Sequence, residues 1–271
     1  MLLQVAYVAF VSAICIARGF YPSYEVMIIL VVTAFAWRAS SRRYLLDFAP
    51  FVLIVLSYSC LRGLADDFSP FEVHAADLLS WERALFGGLV PAAYLQEKLQ
   101  RTSVASVLNF LCPALYMTHF VVPFVLVPLV WYFKRERYWR FVVGAALLSY
   151  AGLLTYVLFP AAPPWWAYKY GLMPESVVNP GSFRFFKTFL SFSPNPVAAM
   201  PSLHAAFPTF AALAAVHLWG RKALPLAALP LGVCFSAVYL GQHYVIDLVA
   251  GVLYAWASYR VTLGATARAG S

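Results

Sequence analysis

Apolar residues along this chain gather into long runs, at roughly 2–17, 23–37, 44–63, 106–133, 138–160, 203–219, 223–240 and 243–264. About 20 apolar residues are needed to carry a helix across the hydrocarbon of a bilayer. The pattern therefore predicts an all-α, polytopic membrane protein with up to eight spans. The first two runs are short, and each is expected to tilt or lie shallow. Two longer mixed segments interrupt the runs, at about 64–105 and 161–202. In the first, Phe71, Leu78, Trp81, Leu85 and Phe86 recur at near-helical spacing, which predicts an amphipathic helix on the membrane surface. In the second, repeated prolines forbid one long helix.

Charge turns this pattern into a topology. Arg38, Arg42 and Arg43 follow the second run, and Lys134, Arg135, Arg137 and Arg140 follow the fourth. Arg221 and Lys222 follow the sixth, and Arg260 and Arg268 come at the end of the chain. If every run spans, all of these lie on one side, which the positive-inside rule makes the cytoplasm. Both termini are then expected to be cytoplasmic, and both long segments extracytoplasmic. The first run has no basic n-region before it and no small-residue cleavage site after it, so it reads as a retained span. The few extramembrane residues suit a prokaryotic plasma membrane.

Composition agrees. Of 271 residues, 63% are hydrophobic and 11% charged, and mean hydropathy is +0.75. Soluble domains run nearer 45–50% apolar and about 25% charged. The net charge of +8 sits largely in the short loops, where it sets orientation, and no nucleic-acid partner is expected. Cys15, Cys60, Cys112 and Cys234 all fall in apolar runs without a CxxC pair, and read as apolar packing residues.

The candidate chemistry lies near the C-terminus. His204 stands in Pro201-Ser202-Leu203-His204, opening the sixth run. His243 and Asp247 stand in Gly241-Gln242-His243-Tyr244-Val245-Ile246-Asp247, opening the eighth. Residues four apart share a helix face. The 39 residues from His204 to His243 make one helix in, a basic turn and one helix back, which returns both histidines to one membrane face. Ionisable groups at a membrane depth are costly and mark functional sites. Two imidazoles and a carboxylate suit nucleophilic displacement with proton transfer. The same residues also fit two interfacial histidines with a helix-capping aspartate, or a zinc set short of a fourth ligand. His119 reads as a satisfied intramembrane residue, and His217 lies at the cytoplasmic end. His74 could join Asp67, Asp77 or Glu82 in binding a polar headgroup.

PSLH followed about forty residues later by GxHxxxD resembles the second and third signatures of the type 2 phosphatidic acid phosphatase superfamily. The leucine of PSLH, together with HYVIDLVAG (243–251), Ala162-Pro163-Pro164-Trp165-Trp166 and LFGGLVPAAYLQ (85–96), is similar to the inositol phosphorylceramide synthase branch. The resemblance covers roughly 44–264. It implies a six-helix core, here with about two extra N-terminal helices. Residues 1–43 would form an N-terminal transmembrane hairpin, and 44–271 the phosphatase- or phosphotransferase-like core, as a single domain overall. It further implies His243 as nucleophile through a phosphohistidine, Asp247 as its orienting carboxylate, and His204 as the acid and base. Ser202 and N–H groups at the helix start would hold phosphate oxygens. Neither metal nor cofactor is implied.

One departure bears on the substrate. Superfamily phosphatases usually carry Ser-Arg shortly before the nucleophilic histidine. Here Ser236 and Ala237 occupy those positions, and the first superfamily signature has no full match. Lys169, Arg184 and Lys187 are the nearest substitute cations, with Trp165 and Trp166 beside them in the same segment. A site short of a cation favours a singly charged phosphodiester over a dianionic monoester. The expected activity is transfer of a phosphate-linked headgroup from a phospholipid, such as phosphatidylinositol, to a lipid or polyol hydroxyl. The same residues would serve a lipid phosphate or polyprenyl pyrophosphate phosphatase with water as acceptor. A non-enzymatic lipid transporter retaining the fold is the third alternative.

Overall fold

The computed structural model describes residues 42–65, 69–177 and 195–264. The two runs expected before residue 41, together with Asp66, Asp67, Arg184 and Lys187, lie outside the described residues. Helices form α1 (Arg42–Leu64), α2 (Ala76–Leu85), α3 (Pro91–Leu99), α4 (Ala105–Phe133), α5 (Tyr138–Leu158), α6 (Pro164–Lys169), α7 (Leu203–Trp219), α8 (Ala228–Tyr239) and α9 (Val245–Thr262). Short 3₁₀ turns at Arg135–Arg137 and Gly220–Ala227 join α4 to α5 and α7 to α8. The all-α expectation holds. Among the described residues the extended contacts are the isolated parallel bridges of Ala161 to His74 and to Ala198.

Among the described residues, two stretches, Arg135–Leu158 and Leu203–Tyr239, are long and apolar enough to cross a membrane. The second doubles back: the chain turns at Gly220, whose φ is +68°, and α8 returns along α7. The outer faces of the long helices carry bare apolar side chains, among them Leu53 on α1, Phe110 on α4, Leu154 on α5, Leu231 on α8 and Trp256 on α9. An apolar surface of that extent belongs against lipid rather than water. Inside, Phe48, Val127, Phe141, Leu148 and Phe210 centre one cluster, and Leu78, Tyr116, Ala205, Tyr239 and Tyr244 another, which surrounds the histidines.

Three expectations need correction. The run 223–240 does not begin as an α-helix: Pro225 keeps Gly220–Ala227 in a 3₁₀ turn, and α8 starts at Ala228. The surface segment is two helices rather than one, because Gly87 and Gly88 adopt φ of +61° and +92° and break it between α2 and α3. Its apolar residues also split. Leu78 and Leu79 are buried, while Trp81, Leu85 and Phe86 point outward. Finally, His243 precedes α9 instead of lying on it.

The packing of α7 on α9 positions the site. Ala205, Ala206, Ala211 and Ala214 keep α7 thin, and Gly251 lets α9 approach it. A Cβ on Gly251 would fall onto the Ser202 carbonyl oxygen. Such small-residue contacts let membrane helices come close.

Candidate active site

His204 is the second residue of α7, set by the Ser202 N-cap, whose Oγ accepts from Ala205 N at 3.3 Å. His243 sits in the turn between α8 and α9. That turn is pinned from four sides. Gln96 Nε2 donates to Tyr239 O at 2.8 Å, and Trp165 N to Gly241 O at 3.1 Å. Gly241 takes φ +68° with Val177 packed over it. Ser202 N donates to Asp247 O at 2.9 Å, which ties the two motifs together.

The hairpin geometry brings the rings into contact. His204 Nδ1 lies 2.8 Å from His243 Nε2, and His243 Nδ1 lies 3.4 Å from Asp247 Oδ2. His243 and Asp247 are 2% and 0% exposed. They meet because Asp247 is the third residue of α9 and reaches back, its Oδ2 also accepting from Tyr244 N at 2.9 Å. On its other side, His204 Nε2 lies 2.7 Å from Tyr116 Oη.

One proton pattern fits this order, with the 3.4 Å approach of His243 Nδ1 to Asp247 an ion-pair contact rather than a hydrogen bond. A carboxylate only accepts, so His243 Nδ1 carries a proton and Nε2 a lone pair. His204 Nδ1 then donates to that lone pair, and its Nε2 accepts from the Tyr116 hydroxyl. The order runs Tyr116 O–H, His204, His243, Asp247, with a nucleophilic nitrogen at the centre. It is assigned from the bonding partners.

The apolar pattern does not single out three further residues around this chain. Tyr116 and His119 lie three apart on α4, facing α7. The His119 ring stands edge-on to His204 with centroids 4.1 Å apart, and its Nδ1 donates to the Tyr116 carbonyl. His119 is thus a satisfied residue, as expected, and also a wall of the site. Arg62, in the last turn of α1, is close enough to act electrostatically on both His119 and His204. Its one visible signal is position: a lone arginine ending the third run on the side opposite the basic loops.

The other sequence candidates divide. Ser202 is fully buried and beside His204. Trp165 packs into the cluster around the site, and Trp166 against Ala75, Ala162 and Val197. Lys169 ends α6 exposed, its ammonium over the Tyr170 ring at 5.2 Å from the centroid. Arg184 and Lys187 fall outside the described residues. Ala237 is fully buried in the cluster, so an arginine there would need the packing rebuilt. Of the acids considered with His74, Asp77 is its partner, Glu82 is not, and Asp67 lies outside the described residues. His74 Nδ1 pairs with Asp77 at 2.5 Å and stacks on Phe159, whereas Glu82 is 1% exposed and turned towards α9.

A family model described as the PAP2 superfamily matches residues 76–261. The phosphoinositol dihydroceramide synthase of Bacteroides thetaiotaomicron is 28% identical over 263 residues, 89% of this chain and 83% of that protein. The inositol phosphorylceramide synthase catalytic subunit of Schizosaccharomyces pombe is 29% identical over 77% of this chain, and the inositol phosphorylceramide synthase of Candida albicans 24% identical over 87%. The chain covers 52% and 51% of those two fungal proteins. No solved structure matches. The matched span holds both histidine motifs and the helices that join them, and the chain belongs to the PAP2 superfamily.

Proposed function

We propose that this protein transfers a phosphoinositol-type headgroup from a phospholipid donor to the hydroxyl of a ceramide-type lipid, through a covalent adduct on His243. The coarser statement follows from the family match and the synthase relatives: the protein is an enzyme, a membrane lipid phosphotransferase. That sets aside a non-enzymatic transporter. Donor, acceptor and intermediate are our reading.

The observation that carries it is the ordered chain from Tyr116 through His204 and His243 to Asp247. In the first half-reaction His243 Nε2 attacks phosphorus, and the P–O bond to diacylglycerol breaks. His204 gives its Nδ1 proton to the departing alkoxide while its Nε2 takes the Tyr116 hydroxyl proton, and the second half-reaction returns that proton to Tyr116. In the second, His204 takes the proton of the acceptor hydroxyl, that oxygen attacks phosphorus, and the N–P bond breaks to free His243. Asp247 holds the tautomer and stabilises the charge that develops on the ring. Arg62 supplies the positive charge that Ala237 does not. Lys169, Arg184 and Lys187 remain candidate headgroup contacts along the same segment. A site whose arginine position is filled by Ala237 disfavours a dianionic monoester more than a singly charged phosphodiester, which supports transfer over monoester hydrolysis.

Orientation belongs to the same reading. The histidines face the extracytoplasmic side, where an enclosed site excludes water so that the lipid hydroxyl is the acceptor. Residues 44–271 act as one catalytic core, with the long helices spanning and 1–43 adding a membrane hairpin. The test is a trapping experiment with donor labelled at phosphorus, quenched under alkaline conditions. An acid-labile label on the wild-type protein, absent from His243→Ala, is expected. Label retained by His243→Ala would overturn the assignment of the nucleophile.

A further inference from the structure

The first turn of any helix leaves backbone N–H groups without intrahelical partners. In α9 that turn directly follows His243. Tyr244 N donates to Asp247 Oδ2 at 2.9 Å, as capping by an early acidic residue predicts. The next two N–H groups are held from outside the helix. Val245 N donates to Glu82 Oε1 at 2.9 Å and Ile246 N to Glu82 Oε2 at 3.4 Å. Three consecutive N–H groups after the nucleophile are therefore received by carboxylates.

Glu82 comes from α2, 163 residues earlier than Val245. Its side chain is 1% exposed, an unusual place for a carboxylate in a chain with so few acids. The helix that carries it is anchored on both flanks. Arg83 Nη2 bonds both carboxylate oxygens of Glu175 at 2.8 Å, and the His74 backbone bonds Pro160 O and Ala162 N. Trp81 and Leu85 on the outward side are placed to rest on lipid.

We propose that Glu82 is a positioning residue for the transfer reaction: it clamps the N-terminus of α9 and so fixes where His243 presents Nε2. This rests on the functional reading above. A consequence concerns the phosphate. A helix N-terminus is an anion site, but at α9 the protein's own carboxylates fill it. The first N–H groups of α9 are therefore already taken and do not hold the donor phosphate. Glu82 touches no reacting atom. Its effect is geometric, and misplacing a nucleophile by about 1 Å costs about 10²-fold in rate.

The test compares Glu82→Ala and Glu82→Gln with the wild-type protein in mixed phosphatidylinositol and ceramide vesicles. Turnover is followed against donor concentration, and backbone exchange of the 240–250 peptide by hydrogen–deuterium mass spectrometry. The expected result for Glu82→Ala is kcat lowered about 10²-fold with KM within about 3-fold, and faster exchange confined to that peptide. Glu82→Gln keeps an acceptor oxygen for Val245 N and should recover at least a tenth of wild-type kcat. The clamp is overturned if Glu82→Ala keeps kcat within about 3-fold, if KM moves instead of kcat, if Glu82→Gln is as impaired as Glu82→Ala, or if exchange at 240–250 is unchanged. A wild-type protein that yields no transferred product would overturn the functional reading. The exchange comparison would still decide the clamp.

Discussion

Tyr116 Oη lies 2.7 Å from His204 Nε2, and His243 Nε2 lies 2.8 Å from His204 Nδ1. His204 is thus held at both nitrogens. The tyrosine fixes the tautomer in which Nδ1 carries the proton that the leaving group needs. Tyr116→Phe removes that hydroxyl and keeps the ring stacked on His204. Rotation of the freed imidazole should lower kcat by about 10–10²-fold, with KM nearly unchanged. Steady-state kinetics on the purified variant check this. An unchanged kcat would show that His204 needs no second partner.

Among the described residues, Arg62 is a cation whose charge reaches His119 and His204. A charged hydrogen bond to phosphate contributes about 1.5–3 kcal/mol, or roughly 10–10²-fold in affinity. Arg62→Gln should raise donor KM by that factor and leave kcat within about 3-fold, and Arg62→Lys should restore most of it. A change in kcat alone would remove Arg62 from donor binding.

Gly251 marks the closest approach of α9 to the Ser202 carbonyl. Gly251→Ala places a methyl group where that oxygen stands, and overpacking of this kind costs about 1–3 kcal/mol. Thermal unfolding in detergent should show the loss, with activity falling in parallel as the two motifs separate. A fully stable and active Gly251→Ala protein would mean that α7 and α9 can part without harm.

Glu82 gives a pH signature. Burial, opposed by the two N–H bonds from α9 and reinforced by nearby Asp247, pushes its carboxyl above the usual carboxylate range. A folded-state pKa above the unfolded value adds stability that is full below the unfolded pKa and lost as pH rises through the folded one. Ionised Glu82 is therefore held at a cost at neutral pH. The Tm of Glu82→Gln relative to wild type should rise between about pH 4 and pH 7. A difference that stays flat or falls over that window would contradict it.

Much of this architecture is legible in the chain, for a physical reason. A helix in lipid must satisfy its backbone internally and present apolar side chains continuously, so the run 106–133 returns as Ala105–Phe133 and 203–219 as Leu203–Trp219. His204, His243 and Asp247 are legible because motif spacing and helix length together force them to one end. Tyr116, Arg62 and Glu82 are not. Each comes from a different helix, and each acquires its role from a contact 88 to 163 residues away or from a field across the bundle. Glu82 was visible as one acid among several on a surface helix, and only the docking of α2 on α9 separates it from Asp77. Proline at 225 delayed the start of α8 without altering the apolar count that predicted a span there.

Product identity tests this mechanism most directly. Purified protein in vesicles holding phosphatidylinositol, other phospholipids, a polyprenyl phosphate, ceramide and diacylglycerol can be followed by mass spectrometry, with His243→Ala as control. The expected product is a new inositol-containing phosphodiester lipid, matched by diacylglycerol release and absent from the control. Dephosphorylated lipid with free phosphate, and no transferred headgroup, would contradict it and make the protein a phosphatase.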